Sequence, residues 1–325
     1  MTQELLCPLD NTPLRKWLSV PGDRRKPSEE TDYQLYWCET CQYGTLHPLP
    51  TQYEEVEDFY KIDDYYTHSD QFQKKDNQKP RTFLEKLLVH IAWKLDQGTE
   101  ITASLLEKYI PHQGTICDIG CGSGRLLSTC QKLGYQVYGL EPDAEAKTVA
   151  VSKGLQVKQG IAEDLSKHFQ EQFFDGIVMT HVLEHCLDPI SALANIKKAL
   201  KPKGIFICEV PNNDCIGARW TGASWSHLGV LSHLHFFTEN SLASCIEKAG
   251  FQVLSTQFRG YCRQFIPENI KIEQQAYEFF SLRNGQESLP IKSCASTRWM
   301  MLASSALASA SRKYDSVSVI SCLPD

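Results

Sequence analysis

The run Ile116-Cys117-Asp118-Ile119-Gly120-Cys121-Gly122-Ser123-Gly124 constrains this chain more than any other segment. It reads as a buried strand that breaks into a glycine loop and then a helix, Arg125 to Leu133. Three glycines at alternate positions let the backbone turn sharply and approach a ligand closely. The amides and dipole of the following helix favour an anionic group at the turn. The next apolar run, Gln136 to Leu140, ends on Glu141, where a carboxylate can take both hydroxyls of a ribose. Together these features describe a nucleoside-binding αβ unit.

The glycine spacing is G-x-G-x-G, not the G-x-G-x-x-G of dinucleotide enzymes. Asp118 stands two residues before the first glycine. An acid there would repel a pyrophosphate. S-adenosylmethionine carries no phosphate; its ammonium and sulfonium welcome a carboxylate. An NAD-dependent oxidoreductase is disfavoured on both counts.

At these residues the chain resembles the class I S-adenosylmethionine-dependent methyltransferases. Further matches follow in order. Phe174 to His185 is similar to the family's fourth strand and the turn after it. Leu200-Lys201-Pro202-Lys203-Gly204 with Ile205-Phe206-Ile207 is similar to its helix end and fifth strand. His233-Leu234-His235-Phe236-Phe237-Thr238, then a helix ending Lys248-Ala249-Gly250-Phe251, resembles the approach to its sixth strand. The resemblance is tight from about Thr115 to Val253. It implies that Asp118, Gly120, Gly122, Gly124 and Glu141 hold the cofactor, that Ala162 and Glu163 border its adenine, and that His181 lines the cleft.

Periodicity supports the same architecture. Strands are expected at about 115–120, 136–141, 155–159, 174–180, 204–210 and 251–257. Helices are expected at about 83–96, 101–110, 124–133, 143–152, 188–200 and 239–249. Such alternation argues a parallel sheet covered on both faces. The run Val317-Ser318-Val319-Ile320-Ser321-Cys322 alternates like a strand and sits where the family's antiparallel last strand should be. The expected fold is α/β: a Rossmann-like, seven-stranded, mostly parallel sheet preceded by a small zinc-ribbon-like module. The expected divisions are a module at 1–50, a connecting segment at 51–80 and a methyltransferase domain at 81–325, with a helical insertion at about 266–311.

The module rests on cysteine spacing. Cys38-x-x-Cys41 is one metal knuckle; Cys7-Pro8-Leu9-Asp10 has the spacing of a second, with Asp10 in the fourth position. It resembles the zinc ribbon that precedes some methyltransferase domains, and aspartate can ligate zinc. The expected ligands are Cys7, Asp10, Cys38 and Cys41, with His47 as a substitute. A metal-free relic is the plainer alternative. So little apolar content would fold poorly without a staple.

Charge and composition exclude other classes. The 325-residue chain has 42% hydrophobic residues, a net charge of −6 and no long basic run, so no nucleic-acid partner is expected. No apolar run approaches the length of a membrane span, and Met1 to Leu6 does not open like a signal peptide. Thirteen scattered cysteines, an odd number, fit buried thiols in a reducing cytoplasm better than a disulfide framework.

Two further segments bear on chemistry. His181-x-x-Glu184-His185 matches an inverted zinc-protease pattern, but it begins at a strand end rather than on a helix. The loop Trp220 to His235 carries Trp220, Trp225, His227, His233 and His235 past the fifth strand, where an open αβ sheet keeps its ligand crevice. A histidine there can take a proton from an acceptor, with His235 first choice and His227 and His233 behind it. The plainer reading of each is a hydrogen bond to loop backbone. Met300, Met301, Leu302 and Leu307 mark an apolar stripe: a lid, a dimer face in a homo-oligomer, a membrane-surface patch or ordinary core. The function expected is methyl transfer from S-adenosylmethionine to a small-molecule acceptor (a metabolite, sugar or lipid-like hydroxyl). A non-catalytic module retaining the fold is the other alternative.

Overall fold

The computed structural model describes residues 4–22, 32–53, 82–229, 231–283 and 291–324. Most of the expected connecting segment, with Tyr60, Tyr65, Tyr66 and the run Gln71 to Lys79, lies outside them.

Eleven strands form two sheets among the described residues. The chain opens with β1 (Arg15–Pro21), β2 (Asp32–Cys38) and β3 (Tyr43–His47). Then come β4 (Thr115–Ile119), β5 (Gln136–Glu141), β6 (Gln156–Gln159), β7 (Phe174–Thr180) and β8 (Leu200–Pro211). Last are β9 (His235–Phe236), β10 (Gln252–Arg259) and β11 (Ser316–Cys322). The large sheet has seven strands in the order β10-β11-β8-β7-β4-β5-β6. Strands β4 to β8 pair in parallel, and β11 runs antiparallel to both β8 and β10. The chain builds outward from β4 through β5 to β6, then returns to lay β7 on the other side of β4. That reversal is a topological switch point, so a crevice opens at the carboxyl ends of these strands.

Alternation along each strand explains the burial of both faces. Cys117 and Ile119 of β4, Ile177 and Met179 of β7, and Phe206 and Cys208 of β8 enter one core. Their neighbours Ile116, Val178, Ile205 and Ile207 enter the other. Successive side chains point to opposite faces, so a continuous apolar run needs cover on both. Helices Arg125–Lys132, Ala144–Ser152, Pro189–Ala199 and Glu239–Lys248 supply much of it. Their starts are locally encoded. Asp143 accepts the Ala146 amide at 2.7 Å, and Asp188 accepts those of Ile190 and Ser191 just before Pro189.

The small sheet, β1-β2-β3-β9, is antiparallel throughout. Its fourth strand comes from nearly 190 residues further along the chain, out of the histidine-bearing loop. Val20, Leu35 and Leu46 of the module pack in one core with Trp225, Leu228, Leu231, Leu234 and Phe280. The amino-terminal module is therefore fused into the wall beside the crevice.

The region expected to be helical contains helices Pro267–Arg283, Ala295–Ser305 and Ala310–Lys313. Met301 and Leu302 are buried with Leu88, Tyr261, Phe265 and Tyr314, so that half of the apolar stripe is core; Met300 and Leu307 are exposed. Among the described residues, no helix is long and apolar enough to cross a membrane.

Candidate active site

The glycine loop follows β4 directly. Gly120 and Gly124 have φ of +71° and +80°, a region side chains rarely adopt. A Cβ on Gly120 would meet Val182 Cγ2 at 2.3 Å, and one on Gly124 would meet Leu155 Cδ1 at 2.2 Å. Both positions favour glycine for conformation; at Gly120 the stiff Val182 side chain also leaves no room for a Cβ, while at Gly124 the end of Leu155 would have to move. The loop is held from outside as well, because Lys153 Nζ donates to the Ser123 carbonyl at 2.8 Å.

Glu141 ends β5 beside this loop. Its Oε2 accepts the Gly122 amide at 2.7 Å, and its Oε1 accepts the Asp143 amide at 2.9 Å. These bonds orient the carboxylate while leaving it lone pairs for further donors. Asp118, on neighbouring β4, is buried and its carboxyl is pushed up to about 8, first by burial and then by Glu141. A buried acid with an anionic neighbour is short of a cation, and an ammonium group would meet that need. Asp118, Gly120, Gly122, Gly124 and Glu141 therefore converge, and the donor set fits the cofactor the sequence implied.

Ala162 is buried in the turn Ala162–Asp164 that follows β6. Glu163 follows in the same turn. Its Oε1 accepts the Leu187 amide at 2.8 Å and lies 3.4 Å from that of Asp188. Through that oxygen it latches this turn to the segment after β7.

His181, just past β7, has φ of +54°. Its Nε2 lies 3.1 Å from Glu209 Oε1 and its Nδ1 3.4 Å from Glu184 Oε1. Burial alone would lower this imidazole, but the adjacent carboxylates of Glu184 and Glu209 raise it to about 9. The two carboxylates favour its protonated form. The H-x-x-E-H pattern is not on an α-helix: Leu183–His185 is a single 3-10 turn. Glu184, His185 and His233 do bring one ligand atom each within 4.8 Å of one another.

The loop histidines occupy three different environments. His235, the first choice for base, is 3% exposed in β9. Its Nδ1 accepts from the Tyr43 hydroxyl at 2.5 Å and its Nε2 donates to the Cys186 carbonyl at 2.9 Å. Burial lowers it to about 4. With both nitrogens engaged, it has no lone pair for an acceptor's proton, which corrects that expectation. His233 is lowered to about 3, first by burial and then by His185, whose ring centroid lies 4.6 Å away. His227 is also held well below its usual value, first by burial and then by Arg263. Its Nε2 stands 3.5 Å from Asp315 Oδ2 without a formed hydrogen bond.

Four residues that sequence reasoning missed organise this end of the sheet. Arg259 binds Glu209 through Nε and a terminal nitrogen. Arg263 Nε reaches both oxygens of Asp315, at 2.7 and 2.8 Å. Each carboxylate is thereby fixed against one histidine: Glu209 against His181, Asp315 against His227. The available signal was positional, since Arg259 ends a strand, Glu209 lies two residues before a strand end and Asp315 immediately precedes a strand.

At the module, Cys7, Asp10, Cys38 and Cys41 each place a ligand atom within 4.8 Å of the others. Cys38 Sγ is 3.8 Å from either oxygen of Asp10, close to the ligand–ligand edge of roughly 3.5–3.8 Å that tetrahedral zinc bond lengths imply. The donor set fits zinc. His47 lies at the end of β3, edge-on to Tyr36, and is not part of the cluster.

The chain is similar to known proteins over its central part. A family profile described as a methyltransferase domain matches residues 95–256. A ubiquinone biosynthesis O-methyltransferase of Cereibacter sphaeroides is 31% identical over 155 residues, covering 43% of this chain and 62% of the relative. Another from the same species is 30% identical over 177 residues, covering 48% of this chain and 70% of the relative. The chain thus spans less than two thirds of the length of the first of these relatives. An S-adenosylmethionine-dependent methyltransferase from Archaeoglobus fulgidus superposes with a TM-score of 0.46 at 18% identity, covering 68% of this chain and 92% of that one. The match to the methyltransferase domain, the relative covered over 70% of its length and the glycine-loop and carboxylate geometry make the chain a member of the S-adenosylmethionine-dependent methyltransferase family.

Proposed function

We propose that this protein transfers a methyl group from S-adenosylmethionine to a hydroxyl of a small-molecule acceptor. The observation that carries the reading is the pairing of Asp118 with Glu141 around a loop whose three glycines all hold positive φ. The names of the O-methyltransferase relatives support an oxygen acceptor. S-adenosylmethionine supplies an electrophilic methyl on a sulfonium, which departs as a neutral thioether. Asp118 and the Gly120 backbone hold the methionyl end, Gly122 and Gly124 allow close approach, Glu141 takes the ribose, and Ala162 borders the base.

The remaining work is alignment and proton removal. The acceptor hydroxyl enters at the carboxyl ends of β7 and β8. Of the three loop histidines, His227 is the candidate base: its ring is neutral, and its Nε2 makes no hydrogen bond and stands 3.5 Å from Asp315 Oδ2, although burial and Arg263 disfavour its protonated form. His181 and Arg259, both cationic, hold the crevice floor. Residues 1–50 form a zinc-bearing module, Cys7, Asp10, Cys38 and Cys41 being its ligands, joined through 51–80 to the catalytic domain at 81–325. The protein works in the cytoplasm.

Calorimetry with S-adenosylhomocysteine tests the core of this reading: a folded protein that gives no heat would defeat it. Metabolite profiling of a deletion strain, looking for an accumulated demethyl species, identifies the acceptor.

A further inference from the structure

The peptide unit between Cys186 and Leu187 is gripped at both ends. Its carbonyl accepts from His235 Nε2 at 2.9 Å, and its N–H donates to Glu163 Oε1 at 2.8 Å. Upstream, the Tyr43 hydroxyl donates to His235 Nδ1 at 2.5 Å. The hydrogen bonds therefore all point one way: Tyr43 O–H to His235, His235 N–H to the peptide carbonyl, peptide N–H to a carboxylate. Chains so aligned polarise one another, and this one ends on a charge. Tyr43 and His235 are buried, and the strands that carry them pair directly, Thr45 opposite His235 and Gly44 opposite Phe236.

The end point matters. Glu163 lies in the turn Ala162–Asp164, which follows β6, and β6 pairs with β5 so that Gln159 stands opposite Glu141. A ligand whose ribose is held at Glu141 meets this turn with its base. We infer that Tyr43 and His235 are positioning residues for the nucleoside side of the cofactor cleft, acting through the Cys186–Leu187 peptide and Glu163. The amino-terminal module is thus a buttress of the cofactor site rather than a tethered accessory. This rests on the cofactor reading above for what the turn touches, but the relay itself does not.

Two measurements separate those layers. Hydrogen exchange at the Leu187 and Asp188 amides reports the relay without any ligand. Protection there should fall in Tyr43→Phe and His235→Ala and recover in His235→Gln, whose amide can both accept from the phenol and donate to the carbonyl. Unchanged protection in folded Tyr43→Phe and His235→Ala overturns the inference. Calorimetry then reports the consequence. Tyr43→Phe and Glu163→Ala should each weaken S-adenosylhomocysteine and methylthioadenosine alike, by roughly tenfold. The double variant should be no weaker than the poorer single one. Asp118→Ala should instead weaken S-adenosylhomocysteine and spare methylthioadenosine, which lacks the amino-acid end. Wild-type affinity for both ligands in Tyr43→Phe, or additive losses, overturns the inference. A wild-type protein that binds neither ligand sinks the cofactor reading, while the exchange result still decides the relay.

Discussion

Nε2 of His181 lies 3.1 Å from Oε1 of Glu209, and the backbone N–H of His181 donates to the Glu209 carbonyl at 2.8 Å. This double contact ties the ends of the neighbouring parallel strands β7 and β8 together at the mouth of the crevice. Arg259 grips the same carboxylate, so Glu209 stands between two cations.

A pH dependence follows from that contact. The folded protein holds His181 at about 9, above the ordinary 6.5. Its contribution to stability is complete below pH 6.5 and is lost as pH rises through 9. Asparagine tolerates the positive φ of this position, so His181→Asn should fold. The variant should be less stable at pH 6, by on the order of 3 kcal/mol at most, and the gap should close by pH 10. Thermal denaturation of both proteins across that range checks it; a gap independent of pH would mean that His181 is not held as a cation.

Asp118 works in the opposite sense. Its carboxyl is raised to about 8, so folding favours the neutral acid, and the cost to stability grows from about pH 4 to pH 8. Asp118→Asn should raise the melting temperature of the cofactor-free protein at pH 8 and weaken S-adenosylhomocysteine roughly tenfold or more, through loss of a charge-assisted hydrogen bond. In the wild type, affinity should increase from pH 6 to pH 8, with proton release seen as a buffer-dependent heat. A flat affinity over that interval would contradict the role given to Asp118.

The glycine loop should reject even one methyl group. Gly120→Ala and Gly124→Ala each combine a left-handed backbone with a Cβ placed within 2.3 Å of a neighbouring side chain. Each should cost about 2–4 kcal/mol in urea denaturation, with cofactor binding lost or severely weakened. Gly154, which also has positive φ but no atom within 4 Å of its built Cβ, is the control and should lose only the conformational part, about 1–2 kcal/mol.

The metal reading predicts about one zinc per chain by elemental analysis of protein prepared without chelator. Cys38→Ala should lose it. Asp10→Cys should retain it more tightly, because a thiolate is the softer ligand. His47→Ala should retain it unchanged. Full zinc content in Cys38→Ala would refute the ligand set.

Once an acceptor is known, His227→Ala should lower kcat roughly 100-fold and leave cofactor affinity nearly intact. His233→Ala should have a smaller effect on kcat. Equal turnover in wild type and His227→Ala would assign proton removal to another group.

Much of the cofactor half was readable before any coordinates. Strand alternation, the glycine spacing and acids at strand ends are local signals, and they put β4, β5 and β7 within a residue of their observed bounds. The cysteine spacing was local too, and the four expected ligands converge as a set. The histidines were a different problem. Five positions at this end of the sheet (181, 185, 227, 233 and 235) carry imidazoles, all with the same intrinsic chemistry. What separates them is burial and the partner at each ring nitrogen. His235 stands beside Phe236 and Phe237 in sequence, yet its partners are Tyr43 and Cys186, 192 and 49 positions away.

The sequence by itself determined the elements and their order, because strand and helix periods, caps and glycine turns act over a few residues. It also determined that a nucleoside with a cationic end, rather than a dinucleotide, suits the first turn. Only the tertiary structure decided which charged groups meet. The pairing of β3 with β9, of Glu209 with Arg259 and of Asp315 with Arg263 joins segments tens to nearly two hundred residues apart. Contacts of that kind arise when apolar faces bury against one another, and the polar side chains carried on those faces acquire their partners, and their protonation states, as a result.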